Sequence, residues 1–374
     1  MTLEYNTSQV SINPDFSKRI TALRFLLSVF VVFIHAVPDN VHFSSGDINC
    51  LDGASIWIRA IVYFFAQFLG QIAVPMFFII SGYLFFAKPK PAIISIKSKS
   101  KTIALPYFLW NVIAIVLIFI AQSISYTESY FPQNLIKEWS FKDYLLAFWS
   151  NNSFDNLAGP VVAQFWYIRD LLCLMIISPL IKIIARKYPY TYITVIALLY
   201  IFNIIGIIPD YLGFVGALFY FSIGYYAVKY IEYIMQLIDS VKVSDAFWAF
   251  ILVYSIDLYG FITQQQNYRL VHTFSLCFLI LFFVKIAGFA VKEEKIFSKL
   301  SYLAGFSFWI YAAHKPFMIS VIKRLHIKFF PMEEGWILLQ FFGDTIVCVG
   351  LLMLLAVAIK KYCPTIWAIL NGSR

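Results

Sequence analysis

Two ionisable side chains in the first apolar segment have the types and the spacing needed for chemistry on a polar ligand within a membrane. The segment ITALRFLLSVFVVFIHAVP contains Arg24 and, eleven residues further on, His35. Eleven residues of α-helix make about three turns and rise roughly 16.5 Å, so the two side chains share one helix face. The alternatives are that Arg24 is a snorkelling anchor at a helix end and that His35 makes an interhelical hydrogen bond.

The next apolar segment, VPMFFIISGYLFF, is interrupted by Ser81 and Gly82. Such a small-residue step lets a ligand or a neighbouring helix approach closely, and plain helix packing explains it equally well. The segment 88–102 that follows contains five lysines, among them Lys88 and Lys101, and no acidic residue. Its charge suits a phosphorylated ligand or an anionic lipid surface, and a cytoplasmic anchor also explains it.

The segment QFWYIRDLL places an aromatic and two charged side chains at the start of a later apolar run. Trp166, Arg169 and Asp170 are candidates for contact with a polar substrate. A tryptophan at the membrane interface beside a local ion pair accounts for the same residues without a ligand.

Two further segments put ionisable groups inside apolar sequence. In FSFWIYAAHKP, Tyr311 and His314 are predicted to lie at the depth of His35, and Pro316 is predicted to kink the helix just beyond them. A structural hydrogen bond is the alternative for His314. Asp257 lies in the middle of another apolar run, where a carboxylate must pair or face water.

Composition is typical of a membrane protein, because 61% of the residues are apolar and 13% are charged, against roughly half and a quarter in soluble domains. We predict an all-α fold, a polytopic transmembrane bundle of about ten helices at 20–360, with tails at 1–19 and 361–374. The stretch 56–69 is predicted to be a re-entrant or interfacial helix. The predicted spans are 20–37, 70–87, 103–123, 164–185, 191–208, 212–230, 246–263, 269–289, 301–323 and 337–360.

The distribution of lysine and arginine predicts that both termini lie in the cytoplasm. Basic residues concentrate in the N-terminal tail, in 88–102 and in 229–245, whereas 38–69 and 124–163 carry mainly acidic charge, and cytoplasmic flanks retain positive charge. This topology accounts for most of the net charge of +9, so the predicted partner is the lipid bilayer and not a nucleic acid. The five cysteines are scattered without a C-x-x-C pair, so no metal site is predicted.

Taken together, these segments resemble the acyltransferase 3 family of membrane-bound O-acyltransferases over essentially the whole chain. The order and spacing of Arg24, His35 and the segments FFIISGYLF, QFWYIRDLL, FYFSIGYYAVK and FSFWIYAAHKP carry the resemblance. In style the chain is similar to the branch that acylates surface polysaccharides and enterobacterial common antigen. It departs from other branches at Val74-Pro75-Met76, where they place an acidic residue.

The resemblance implies a multi-pass enzyme of the bacterial inner membrane. Such an enzyme transfers an acyl group, acetyl in the first instance, from cytoplasmic acyl-CoA to a hydroxyl of an extracytoplasmic glycan. The residues expected to bind the coenzyme are Arg24, Ser81, Gly82, Lys88 and Lys101.

The same resemblance makes His35 the expected general base or acylated nucleophile. Candidates to stabilise the oxyanion are Tyr311, His314 or a backbone amide of a broken helix. The glycan is expected to contact Trp166, Arg169 and Asp170.

A different class of function is a transporter or flippase for a polar lipid-linked solute. The polar residues within the apolar segments would then line an alternating-access path. These residues are Arg24, His35, Asp257 and His314.

Overall fold

The computed structural model describes residues 12–39, 41–43, 46–87, 92–124, 135–150, 159–208, 213–265, 268–331 and 333–372. Nearly all of them lie in helices, as predicted. The α-helices in chain order are α1 Pro14–Ala36, α2 Ile56–Tyr63, α3 Ala73–Phe86, α4 Ala92–Lys99, α5 Leu105–Ser123, α6 Phe141–Leu146, α7 Trp166–Lys187, α8 Pro189–Ile204, α9 Phe214–Ser240, α10 Val243–Ile262, α11 Tyr268–Ala290, α12 Glu294–Ala304, α13 Ser307–Ala313, α14 Ile319–Phe329, α15 Glu334–Tyr362 and α16 Pro364–Leu370.

Short π-helical and 3₁₀ segments continue or connect these helices. They are Phe64–Leu69, Gly70–Ile72, Ser100–Ala104, Ile136–Glu138, Ala163–Phe165 and His314–Met318. The loop after α1 contains a small antiparallel hairpin of β1 Val41–Phe43 and β2 Gly46–Ile48, in which Val41 pairs with Ile48.

Seven helical stretches in the described ranges are long and apolar enough to cross a membrane, which confirms an all-α membrane fold. Two further predicted spans correspond to α8, which is shorter, and to α7, which carries Arg169 and Asp170. The seven stretches are Pro14–Ala36, Ile56–Phe86, Ile96–Ser123, Phe214–Ser240, Val243–Ile262, Tyr268–Ala290 and Glu334–Tyr362.

The prediction that 56–69 is a re-entrant or interfacial helix, apart from the span after it, is wrong. Residues Ile56–Phe86 form one helical stretch of 31 residues, because the π-helical and 3₁₀ segments between α2 and α3 continue the chain without a break. Those two segments change the hydrogen-bond pattern locally, while the backbone at their junctions stays in the right-handed helical region.

The span predicted at 301–323 is broken into α12, α13, a π-helical segment and α14. Lys315 has φ −127° and ψ 151°, which is an extended conformation inside the helical region. The following residue, Pro316, has no N–H and disfavours helical geometry for the residue before it, so a break at this point is expected.

Helix α1 lies in the centre of the bundle and contacts α11, α12, α13 and α15. It begins where the Asn13 side chain accepts a hydrogen bond from the Phe16 N–H, with Pro14 at its first position, a favourable start for a helix. It ends at Ala36, two residues before Pro38. Within α1, Leu27 and Val32 are fully buried, so this helix forms part of the core on several faces.

Candidate active site

A cavity of about 520 Å³ opens beside the first half of α1. Arg24 and Ser28 of α1 line it, together with Ser81 of α3, Tyr167 of α7 and Tyr311 of α13. Most of the remaining lining side chains are apolar, and Ser301, Ser307 and Lys99 add polar groups. A volume of this size with a few convergent polar groups is typical of a small-molecule site.

The cavity brings together residues that are far apart in the sequence through specific hydrogen bonds between helices. The Tyr167 and Ser81 hydroxyls lie 3.0 Å apart, and the Tyr167 hydroxyl also lies 3.3 Å from the Phe77 carbonyl oxygen. The Ser28 hydroxyl, one turn after Arg24, donates to the Ser307 carbonyl oxygen at 3.0 Å. These bonds fix α1, α3, α7 and α13 around the cavity.

The Arg24 guanidinium differs from two other arginines in the bundle in its charge partners. Arg19 forms an ion pair with Asp239 at 2.7 Å, and Arg169 forms one with Asp170 at 2.8 Å. Within the described ranges no carboxylate pairs with Arg24, which instead lines the cavity. A cation at membrane depth without an acidic partner is suited to an anionic ligand.

His35 and His314 lie side by side beyond the cavity. Their ring centroids are 5.1 Å apart, and the His314 ring lies 6.4 Å from that of Tyr311, which lines the cavity. The histidines themselves are not in the cavity wall. His314 is fully buried, whereas His35 keeps partial exposure. A group that must meet a substrate is therefore better placed at His35.

The hydrogen bonds of His314 define its tautomer. Its Nδ1 lies 3.0 Å from the Ile310 carbonyl oxygen, which can only accept, so Nδ1 carries the proton. The other ring nitrogen, Nε2, is buried and has no hydrogen-bond partner in the described part of the chain. In the neutral ring this Nε2 is a proton acceptor.

Gln164 holds the broken helix in place beside the histidines. Its side-chain amide donates to the carbonyl oxygens of Ala312, at 3.2 Å, and Lys315, at 2.9 Å. In return the Tyr311 hydroxyl donates to the Gln164 carbonyl oxygen. The Tyr311 hydroxyl proton is thus engaged in this arrangement, and an oxyanion would have to compete for it.

The loop after α1, which begins two residues beyond His35, is attached to the helices α14 and α15. The Asp39 carboxylate accepts from the Leu51 N–H at 3.0 Å, and Lys323 donates to the Asp39 carbonyl oxygen at 3.1 Å. Burial raises the pKa of the Asp39 carboxyl above its usual value. Glu334 accepts from the Ser55 N–H at 2.6 Å, so one end of the loop is attached to α14 through Lys323 and the other to α15.

Several residues predicted to contact ligands lie elsewhere. Gly82 is at the crossing of α3 and α9, where a Cβ atom would lie 2.3 Å from the Phe221 carbonyl oxygen. Lys101 is exposed and does not line the cavity, and Lys88 lies outside the described residues. Arg24 and Ser81 are the predicted coenzyme contacts that the cavity brings together.

The residues predicted for the glycan are likewise outside the cavity. Arg169 and Asp170 are buried and paired with each other, and Arg169 donates to the Trp149 carbonyl oxygen at 2.7 Å. Trp166 is partly exposed and packs near Phe78. The same QFWYIRDLL segment supplies Gln164 and Tyr167 to the site instead.

Sequence reasoning missed several residues of the site, among them Gln164 beside the cavity and Ser28, Tyr167, Ser301, Ser307 and Lys99 in its wall. Gln164 and Tyr167 belong to the segment QFWYIRDLL, from which other residues were predicted. The signal that could have indicated them is a polar side chain at the start of a helix within apolar sequence. The serines of the cavity, such as Ser307, and Lys99 resemble many other serines and lysines in the sequence. Only their position in the folded structure distinguishes them.

The buried Asp257 carboxylate has two side-chain partners, Tyr63 and His272. The Tyr63 hydroxyl donates to its carboxylate at 2.6 Å, and the His272 Nδ1 lies 3.0 Å from the same oxygen. The requirement that this buried carboxylate be paired is thereby met by protein side chains.

Among the described side chains, no group of three or more His, Cys, Asp or Glu could hold a metal ion.

The fold defines a polytopic membrane protein with a cavity among its helices, near a pair of histidines. Residues 17–360 match the family described as an acyltransferase domain, the acyltransferase 3 family, and the chain belongs to this family. The predicted resemblance is thus confirmed. The succinoglycan biosynthesis protein ExoH of Rhizobium meliloti (strain 1021) is a relative with 26% identity over 378 residues, covering 97% of this chain and 94% of that protein. No solved structure matches the chain significantly.

Proposed function

We propose that this acyltransferase moves an acyl group, acetyl in the first instance, from cytoplasmic acyl-CoA to a hydroxyl of an extracytoplasmic glycan. The enzyme would work in the inner membrane of a bacterium, where the coenzyme is available on one side and the glycan on the other. The observation that carries the proposal is the cavity itself, which begins at the unneutralised Arg24 and reaches Tyr311 next to the two histidines.

The donor fits this cavity by charge and shape. The coenzyme's phosphates would bind Arg24 and Lys99, since a guanidinium matches two phosphate oxygens at once. The apolar walls would take the extended pantetheine arm, with Ser81 and Tyr167 as hydrogen-bonding groups along it. The thioester would then lie at the Tyr311 end, towards the histidine pair.

The chemistry assigned to His35 has two forms that the geometry supports equally. In direct transfer, His35 takes the proton of a glycan hydroxyl, whose oxygen attacks the thioester carbonyl; the carbon–sulfur bond breaks and the leaving thiolate takes the proton. In the stepwise form, a His35 ring nitrogen attacks the thioester carbonyl, the carbon–sulfur bond breaks, and the coenzyme leaves as its thiol with the proton lost by the ring. The glycan hydroxyl oxygen then attacks the acyl-imidazole, the carbon–nitrogen bond breaks, and the imidazole takes the hydroxyl proton. His314 lies against His35 and presents the unpaired Nε2 as a proton acceptor.

The acceptor is proposed from the relative. ExoH is named for succinoglycan biosynthesis, and we infer that a polysaccharide or its precursor is the acceptor of this chain as well. It would reach His35 from the end of the bundle where the loop after α1 begins. Partly exposed Trp166 remains a predicted contact, while Arg169 and Asp170 are better suited to holding the segment at Trp149.

The decisive experiment supplies purified full-length protein with acetyl-CoA labelled in its acetyl group and with a de-acylated bacterial exopolysaccharide. We expect label in the polysaccharide, with release of one coenzyme thiol for each group transferred. His35→Ala protein serves as the inactive control. If neither acetyl-CoA nor succinyl-CoA is consumed, while a lipid-linked glycan crosses the bilayer of proteoliposomes, the flippase alternative holds instead.

A further inference from the structure

A second pocket, of about 380 Å³, lies at the ends of α2, α10 and α11. It is lined by the side chains of Arg59, Gln264, Gln265, Tyr268 and Arg269, with a few apolar residues. No acidic residue lines it, and neither arginine forms an ion pair with another described residue. Two guanidinium groups and two amides therefore converge on a space without a counter-charge.

The pocket lies where the apolar helices α2 and α11 begin and α10 ends, on the same end of the bundle as His35. The Phe33 ring of α1 lies 5.3 Å from that of Phe65, and Tyr63, one turn after Arg59, stacks on Phe261 at 4.1 Å. Next to Arg59, the Trp57 side chain is 77% exposed. Exposed tryptophan beside apolar helix ends is typical of the headgroup level of a bilayer.

The floor of the pocket is held by buried hydrogen bonds. The Tyr268 and Tyr63 hydroxyls lie 2.5 Å apart, and Tyr63 donates to the fully buried Asp257 carboxylate. Because the Tyr63 proton goes to Asp257, the Tyr268 hydroxyl donates to Tyr63. This chain, completed by His272 on the other side of Asp257, ties α2, α10 and α11 together and fixes the spacing between the pocket's walls.

We propose that this pocket binds the phosphate group of an anionic membrane lipid through Arg59 and Arg269. The planar fork of each guanidinium matches two phosphate oxygens, and the amides of Gln264 and Gln265 supply further donors. The exposed apolar side chains beside the pocket, Ile56 and Ile262 among them, face the region that lipid tails occupy. The site is separate from the proposed acyl transfer, and binding is measurable without any acyl donor.

The test measures lipid binding to full-length protein in phosphatidylcholine micelles. Phosphatidylglycerol is titrated and the bound lipid is counted by native mass spectrometry. The Arg59→Gln, Arg269→Gln double variant is expected to bind at least about tenfold more weakly, since a hydrogen bond to a charged group contributes roughly that factor. The matched control, Lys137→Gln with Lys142→Gln, removes the same charge from exposed positions elsewhere and should change affinity by less than about twofold.

A second pair of variants keeps the test independent of folding. Arg59→Lys with Arg269→Lys retains the charge and loses the fork, so an intermediate affinity supports the proposal. If the Lys137→Gln, Lys142→Gln control weakens lipid binding as much as the Arg59→Gln, Arg269→Gln variant does, the proposal is overturned, because net charge alone would then explain binding. If millimolar inorganic phosphate displaces the lipid, the pocket is a site for free phosphate and not for a lipid headgroup. Equal affinity for phosphatidylglycerol in all variants would also overturn the proposal.

Discussion

Arg24 and His35 belong to one uninterrupted helix, but they have different surroundings. Arg24 lines the cavity without a carboxylate partner among the described residues, whereas His35 lies beyond the cavity against His314. If one binds the donor and the other moves a proton, replacing them should change different kinetic constants. Lys99 and Lys101, two residues apart in the sequence, provide a similar contrast, because Lys99 lines the cavity with Arg24 and Lys101 does not.

His35→Ala is expected to lower kcat by roughly 10²-fold or more, because a positioned proton acceptor contributes about that factor. Binding of the coenzyme should change little. The measurement is initial rate against acyl-CoA concentration, with membrane insertion and thermal stability as checks on folding. The matched control is His272→Asn, which keeps a nitrogen donor near Asp257 and should retain activity. Activity of the His35→Ala protein within a few-fold of wild type would remove the catalytic role.

Arg24→Ala is expected to raise the KM for acyl-CoA, since a lost phosphate contact weakens the ground state and the transition state alike. Arg24→Lys should recover part of the loss, because lysine keeps the charge but not the planar fork. Direct binding of a non-hydrolysable coenzyme analogue measures this effect without turnover. If the analogue binds Arg24→Ala protein as tightly as wild type, Arg24 is a snorkelling anchor.

Lys99→Gln is expected to weaken analogue binding by a few-fold, and Lys101→Gln is expected to leave it unchanged. Both replacements remove one positive charge from the same short segment, so a general electrostatic effect would act on both. Isothermal titration with the coenzyme analogue distinguishes them. The reverse order of effects would show that the phosphates bind outside the cavity, at the surface where Lys101 is exposed.

At the scale of elements, the cavity depends on the close crossing of α3 and α9. Gly82 and Gly224 face each other there, and a Cβ at Gly224 would lie 2.4 Å from the Ile79 carbonyl oxygen. Each glycine therefore lets one backbone approach the other, as small residues do between membrane helices. Because Ser81 directly precedes Gly82, the contact between α3 and α9 also sets the rotation of α3 that places Ser81 in the cavity wall.

Gly82→Ala is expected to destabilise the protein by at least about 1–3 kcal/mol, because the new methyl group meets backbone that cannot move aside by changing a rotamer. Gly350→Ala in α15 is the matched control, since a Cβ there meets no described atom within 4 Å. Thermal unfolding in detergent measures both. A Gly82→Ala protein as stable as the Gly350→Ala protein would mean that the two helices can separate at little cost.

At the scale of the whole molecule, the direction of the bundle decides which substrate enters at which end. The cavity lies beside Thr21, Arg24 and Ser28 in the middle of α1, whereas His35 lies near the C-terminal end of α1 and the loop follows it. With the N-terminus inside, as the basic residues predict, the cavity proposed to bind the donor would be nearer the cytoplasm and the histidine pair nearer the outer surface. An inverted bundle would require an acyl donor outside the cell.

Single cysteines introduced on a Cys363→Ser background test this orientation. Lys137→Cys should react with a membrane-impermeant maleimide added to intact cells, and Lys97→Cys should react only after the cells are opened, because both side chains are exposed. A reporter fused within 88–102 or 124–163 provides a second readout. Labelling of Lys97→Cys in intact cells would overturn both the orientation and the proposed route of the donor.

The sequence by itself determined the class of protein, most of the membrane helices and the family. These properties follow from composition, from the length of apolar runs and from the order of short segments, all of which are local along the chain. The same local reasoning identified Arg24, His35 and His314, since an ionisable residue is conspicuous in apolar sequence. It also anticipated the break near Pro316, because proline limits the conformation of its neighbours.

Only the tertiary structure decided which polar residues face one another. It joined α2 to α3 as one span, placed Gly82 at a helix crossing, and brought Gln164, Tyr167 and Ser307 to the site. The contacts around the site join residues from 86 to 279 positions apart, and they depend on the rotation and tilt of each helix. Packing against neighbouring helices sets the rotation and tilt of a helix, so the apolar composition of a single span does not predict them.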